Sequence, residues 1–207
     1  KCLLCIYEFY KDEMWYVVDS EPGSYLYCGL SRDASKEEIL ERINNNTITD
    51  ILNKIEVKAG DVVMVKAGTI HAIGAGVFIC EIQQNSNCTY RMYDYDRRDK
   101  FGNPRELHVK KALDVVDNHK YIKDNKTEVV IARNEHFTEE RLVQCKYFEV
   151  YKYDVNDEAK ITVDEASFVS VLFINGSGTI ETDDYEKTME FKAGDSFFAS
   201  SLTSYLY

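Results

Sequence analysis

The side chains able to do chemistry in this 207-residue chain concentrate between Val57 and Arg98. His71 is the first histidine, and it follows Gly60, five residues, Lys66-Ala67-Gly68 and two residues more. That spacing reads as a strand, a tight glycine turn and a second strand that aims one imidazole into the mouth of a barrel. Twenty residues on, Arg91 lies in Thr89-Tyr90-Arg91-Met92-Tyr93-Asp94, with Arg97, Arg98, Lys100 and Arg105 behind it. An always-charged planar fork suits a phosphate or a developing oxyanion. One imidazole and one guanidinium beside a cavity suit metal-assisted chemistry on an anionic substrate. Upstream, Glu13 sits in Lys11-Asp12-Glu13-Met14-Trp15-Tyr16-Val17. On a strand, Glu13, Trp15 and Val17 share one face, where a carboxylate is expensive unless paired or metal-bound. The alternative for Glu13 is a solvated strand end, and for Arg97 and Arg98 a set of surface salt bridges with Asp94, Asp96 and Asp99. His108 and His136 have no comparable context and read as surface or packing residues.

Short β-runs must position these groups. Met14–Val18, Ser24–Cys28, Asp61–Val65, Val77–Ile82, Phe148–Tyr153, Phe168–Ile174 and Gly178–Thr182 are rich in Val, Ile, Phe and Tyr, and Gly or Asp/Asn clusters separate several of them. Two helices interrupt the strands. Ser35-Lys36-Glu37-Glu38 forms a capping box ahead of Ile39, Leu40 and Ile43, and Pro104 opens a second helix with the stripe Val109, Ala112, Leu113 and Val116. Val57-Lys58-Ala59-Gly60-Asp61 recurs as Phe191-Lys192-Ala193-Gly194-Asp195, and Tyr205 in the second copy falls opposite His71 in the first. The expected fold is therefore all-β: two cupin-type jelly-roll units with a few short helices. Residues 1–117 would form the metal-bearing unit, 118–127 a linker and 128–207 a smaller metal-free unit.

Composition narrows the function classes. A net charge of −11 argues against nucleic acid and anionic membrane as partners. No apolar run reaches the ~18 residues of a membrane helix, and the first residues lack a signal-peptide pattern, so the expected setting is cytoplasmic. Six cysteines at irregular spacing read as buried free thiols rather than a disulfide framework.

Taken together, Lys-x-Glu-Met-Trp-Tyr, Ala-Gly-Thr-Ile-His-Ala, Glu-Ile-Gln-Gln-Asn-Ser, Tyr-Arg-Met-Tyr-Asp-Tyr-Asp-Arg and Arg-Glu-Leu-His-Val-Lys-Lys-Ala-Leu-Asp resemble the type I mannose-6-phosphate isomerases in their short bacterial form. The resemblance implies a zinc-dependent cupin that interconverts mannose 6-phosphate and fructose 6-phosphate through an enediolate. It makes Glu13 and His71 zinc ligands, Arg91 the catalytic arginine, Lys11 an active-site lysine and Arg97 a phosphate-binding cation. The family also places a His-Pro-Asp motif upstream of the glutamate, and this chain has no histidine before His71. Catalytic zinc usually takes three protein ligands. The alternative is thus a non-catalytic sugar-phosphate-binding cupin, or a fragment, without a full metal shell, with Glu8 a substitute ligand. A cupin oxygenase is disfavoured because the two-histidine first motif is missing. Manganese or iron would also suit a mixed N/O site.

Overall fold

The computed structural model describes residues 4–6, 11–86, 89–95, 97–123, 129–163, 165, 167–182 and 185–200. The chain divides into two compact units, Lys1–Lys126 with Val143–Phe148, and Thr127–Leu142 with Glu149–Tyr207.

In the first unit the elements run β1 (Leu4–Ile6), β2 (Glu13–Ser20), β3 (Tyr25–Leu30), α1 (Lys36–Asn44), a 3-10 turn (Ile48–Ile51), β4 (Leu52–Glu56), β5 (Val62–Val65), β6 (His71–Ile73), β7 (Val77–Gln83), β8 (Tyr90–Tyr93) and α2 (Val109–Val115). They build a five-stranded sheet in the order β4-β3-β6-β1-β8 and a three-stranded sheet in the order β5-β2-β7. Strand alternation fixes which face each residue joins. Trp15, Val17, Val63 and Val65 from the small sheet and Leu26 and Cys28 from the large one bury against each other. The two sheets thus close on a shared apolar interior. The opposite face of the large sheet, carrying Ile70, Ala72, Tyr90 and Met92, is covered by Ile39 and Ile43 of α1, Ile48 and Ile51 of the turn, and Ala112 and Val116. Each such buried isoleucine, valine or methionine side chain contributes about 1.5–3 kcal/mol. The helices are an outer layer that holds the sheet from behind.

Two expectations about the helices change in detail. Ser35 accepts the Glu38 N–H at 3.1 Å, but the Glu38 carboxylate goes to Arg32 and Arg42 rather than back to the cap. Pro104 does not open α2, which starts at Val109; it bridges Arg98, and the residues between carry no regular secondary structure. Part of the stretch read as a link is laced to the first unit. Asp117 N–H donates to Gly68 O, Tyr121 N–H to Leu30 O, and Asn118 exchanges bonds with Ala34.

The second unit holds a sheet of β9 (Val129–Arg133), β10 (Phe137–Gln144) and β11 (Glu149–Val155), and two hairpin-like pairs. These are β12 (Val169–Leu172) with β15 (Ser196–Ala199), and β13 (Ser177–Thr182) with β14 (Tyr185–Lys192). Val163, Ile180 and Ala199 form its small core beside Phe173 and Phe191, whose rings stack 3.7 Å apart. Tyr205 lies outside the described residues.

The internal repeat is the same turn built twice. Gly60 and Gly194 both have φ of +91°. In the first copy Asp61 accepts the Lys58 N–H at 2.9 Å, and Gly60 N–H and Asp61 O pair with Val17. In the second, Asp195 accepts the Lys192 N–H at 3.0 Å, and Gly194 N–H and Asp195 O pair with Phe173. Glycine is required by the backbone and not by crowding, since an added Cβ would meet nothing within 4 Å at either position. Gly60→Ala and Gly194→Ala should each lower stability by about 1–2 kcal/mol from conformational strain alone. Urea unfolding checks this, and unchanged midpoints in both variants would refute it.

Candidate active site

His71 opens β6 directly after the Lys66-to-Ile70 turn, which one left-handed glycine and two hydrogen bonds fix. Gly68 has φ of +82°, Gly29 N–H donates to Ile70 O at 2.7 Å, and Asp12 Oδ1 accepts the Ala67 N–H at 3.0 Å. The turn is therefore clipped to the residue next to Glu13. Nδ1 of His71 lies 2.8 Å from Thr69 O. A carbonyl only accepts, so Nδ1 carries the hydrogen and Nε2 the lone pair, which is the tautomer a metal-binding imidazole needs. The ring meets Trp15 edge-on, with centroids 5.3 Å apart. Burial pushes the imidazole down to about 4, against the pull of the Thr69 carbonyl and the Glu81 charge. It is neutral at pH 7.

Glu13 begins β2, and its face is set by register: Glu13 pairs with Val65 on one side and Gln83 on the other. The side chain has no exposed surface, and its neighbour Lys11 is 3% exposed. Lys11 Nζ lies 3.2 Å from Glu13 Oε1, an ion-pair distance. Neither Glu13 oxygen has an aligned hydrogen-bond donor among the described residues. Oε2 lies 3.8 Å from His71 Nε2. Two donor atoms of opposite chemical type thus converge in the interior. Burial pushes the Glu13 carboxyl up to about 8, reinforced by the neighbouring Glu81 carboxylate and partly offset by Lys11.

Glu81 was not singled out from the sequence. Trp15 pairs with Glu81 across β2 and β7, and its indole N–H donates to Glu81 Oε1 at 3.0 Å. The signal was present: in β7, Ile79, Glu81 and Gln83 alternate onto the face that Glu13 and Trp15 occupy. It is invisible until strand register is known.

Arg91 reaches the same face by a different sheet. Cys28 pairs with His71, His71 with Cys5, and Cys5 with Arg91, so the four form one row across β3, β6, β1 and β8. Residues in such a row point to one side. Two strand spacings place the Arg91 backbone ~10 Å from that of His71. Its Nη1 donates to Glu106 O at 3.0 Å, while Nε is buried without a partner among the described residues. Arg97 instead turns back on Asp94, to which Nε donates at 2.7 Å, and Arg98 donates to Gly102 O. Asp94 is buried, so this pair anchors the loop after β8. Glu8 and Asp96 lie outside the described residues. No group of three His, Cys, Asp or Glu side chains close enough to hold a metal occurs among the described residues.

The two shifted groups have opposite pH signatures. The folded chain keeps a proton on Glu13 up to about pH 8, whereas an ordinary carboxyl releases it near 4.5. That stabilises the fold fully below pH 4.5 and is lost as pH rises through 8. His71, depressed from 6.5 to about 4, contributes fully above pH 6.5 and loses its contribution as pH falls through 4. Between pH 6.5 and 8 only Glu13 of this pair changes stability. The metal-free chain should lose up to about 2 kcal/mol across that interval, and Glu13→Gln should lose markedly less. Thermal melts of both proteins test this; parallel profiles would refute it.

The mannose-6-phosphate isomerase cupin-domain model matches residues 138–206. The mannose-6-phosphate isomerase ManA of Bacillus subtilis is 33% identical over 198 residues, which cover 91% of this chain and 58% of that protein. A mannose-6-phosphate isomerase of Streptococcus mutans is 37% identical over 173 residues, covering 84% and 53%. The crystal structure of mannose 6-phosphate isomerase from Bacillus subtilis superposes with a TM-score of 0.83 at 35% identity, covering 95% of this chain and 61% of that one. The chain spans a little over half the length of the curated relatives it matches. Likeness in sequence and in fold runs along nearly the whole chain, and the chain belongs to the mannose-6-phosphate isomerase family.

Proposed function

We propose that this chain works as an aldose–ketose isomerase on mannose 6-phosphate and fructose 6-phosphate, with zinc held by Glu13 and His71. The observation that carries the reading is the buried Glu13 carboxylate, without an aligned donor among the described residues, 3.8 Å from an imidazole nitrogen whose lone pair is set by Thr69. A buried carboxylate in that state is costly unless a proton or a cation neutralises it. Carboxylate oxygen and neutral imidazole are both zinc donors, so these two residues fit part of a catalytic site that normally has three protein ligands. Zinc, when bound, supplies Lewis-acid polarisation of the substrate oxygens.

The remaining chemistry falls to side chains of this chain. Isomerisation moves one proton from C2 to C1 of the open-chain sugar and one from O2 to O1, through an enediolate. Arg91 shares its sheet face with His71, and its buried Nε–H is available to the developing negative charge. Lys11, beside Glu13, is the candidate for moving the carbon-bound proton. Arg97, although paired with Asp94, stays partly exposed and is the candidate contact for the phosphate. A cytoplasmic setting accords with free thiols at Cys28, Cys80 and Cys145.

The two-donor metal set favours a second reading, a sugar-phosphate-binding protein without turnover. One experiment separates the two. The purified chain is assayed for isomerisation with added zinc and for fructose 6-phosphate binding. The isomerase reading predicts turnover that Arg91→Ala lowers about 100- to 1,000-fold while the fold stays intact. It also predicts that zinc binding at pH 7 releases a proton from Glu13, visible as a buffer-dependent enthalpy, and that Glu13→Gln abolishes this release. Binding of fructose 6-phosphate without zinc uptake or turnover would support the second reading instead.

A further inference from the structure

The segment before α2 is hydrogen-bonded to β8 at Arg91. His108 N–H donates to Arg91 O at 2.7 Å, and Arg91 N–H donates to His108 Nδ1 at 3.2 Å. Two residues earlier, Glu106 O accepts Nη1 of the same arginine at 3.0 Å. One short stretch, Glu106 to His108, therefore grips both the main chain and the guanidinium of Arg91.

The placement of His108 is informative because it declines its local role. It occupies the N-cap of α2, where a side chain ordinarily bonds the first turn, yet it makes no such cap. Its ring turns to β8 and sits 5.9 Å from Tyr90. β8 ends the five-stranded sheet, so the outward N–H of Arg91 has no further strand to meet. Sealing that edge would require only an acceptor. An imidazole adds directionality: Nδ1 must carry its lone pair toward Arg91, which puts the ring hydrogen on Nε2, 4.0 Å from Glu106 Oε1.

We propose that His108 is a positioning residue for Arg91, fixing the arginine backbone through Nδ1 and its guanidinium through the Glu106 carbonyl that the same segment presents. The inference rests on the reading of Arg91 as the group that serves the substrate's oxygens. Small errors in such a group are expensive, because a donor acts on a developing charge only from a preorganised position. Asparagine offers an oxygen where His108 offers Nδ1 and is itself a good N-cap, so His108→Asn keeps the acceptor while His108→Ala removes it.

The test compares wild type, His108→Ala, His108→Asn and Arg91→Ala in the full chain. Nitrogen-15 NMR reports the His108 tautomer and the Arg91 Nε–H resonance, and calorimetry reports fructose 6-phosphate affinity. Wild type should show an Nδ1 lone pair and a slowly exchanging Arg91 Nε–H. His108→Ala should broaden or lose that resonance and weaken binding about tenfold, with unchanged far-UV circular dichroism. His108→Asn should restore both to within about threefold of wild type. An unaltered Arg91 resonance in His108→Ala overturns the proposal, as does His108→Asn behaving like His108→Ala. Unchanged binding in Arg91→Ala overturns the role assigned to Arg91 and leaves the NMR comparison to judge His108 by itself.

Discussion

A carboxylate with no exposed surface and no aligned donor is among the least stable arrangements a fold can hold. Glu13 is held that way because β2 runs between β5 and β7, and its register allows no other face. The interior answers with what lies within reach: the Lys11 ammonium 3.2 Å away, and a proton that burial and the neighbouring Glu81 carboxylate retain.

The architecture separates support from chemistry. On the outer face of the large sheet, the helices and the 3-10 turn pack apolar side chains and carry no candidate site residue. On the inner face, one cross-strand row carries His71 and Arg91, and the facing sheet supplies Glu13, Trp15 and Glu81. The turn before His71 is bonded to Gly29, to Asp12 and to Asp117. His71 and Arg91 thus sit on strands of a sheet that is held from behind, which is how a binding constellation keeps sub-ångström geometry. The repeated glycine turn shows the same construction used in both units, although only the first unit follows it with a histidine.

Arg91 and Arg97 show how differently two arginines of one loop region are used. Arg97 folds back on buried Asp94 and stabilises the chain after β8. Arg91 lies on the strand itself, is tied to the segment before α2 and retains a buried donor. A guanidinium already committed to a buried carboxylate has less to offer a ligand than one whose remaining donor is buried and unpartnered.

Much of the site could be read without coordinates. Strand period two placed Glu13 with Trp15 and Val17, and glycine spacing placed His71 after a turn, because both are local properties of the backbone. The repeat at Gly60 and Gly194 was visible for the same reason, since one φ value above zero demands one residue type. Composition alone set the acidic net charge. What the sequence did not contain was register. Glu81 lies 68 residues from Glu13 and His108 17 from Arg91, and nothing local states that either pair meets. Pro104 likewise promised a helix start, but it bridges Arg98 instead and the helix begins only at Val109. Local sequence determined which residues could point inward; only the packing of two sheets decided which of them stand opposite one another, because cross-strand neighbours are chosen by the whole fold and not by spacing along the chain.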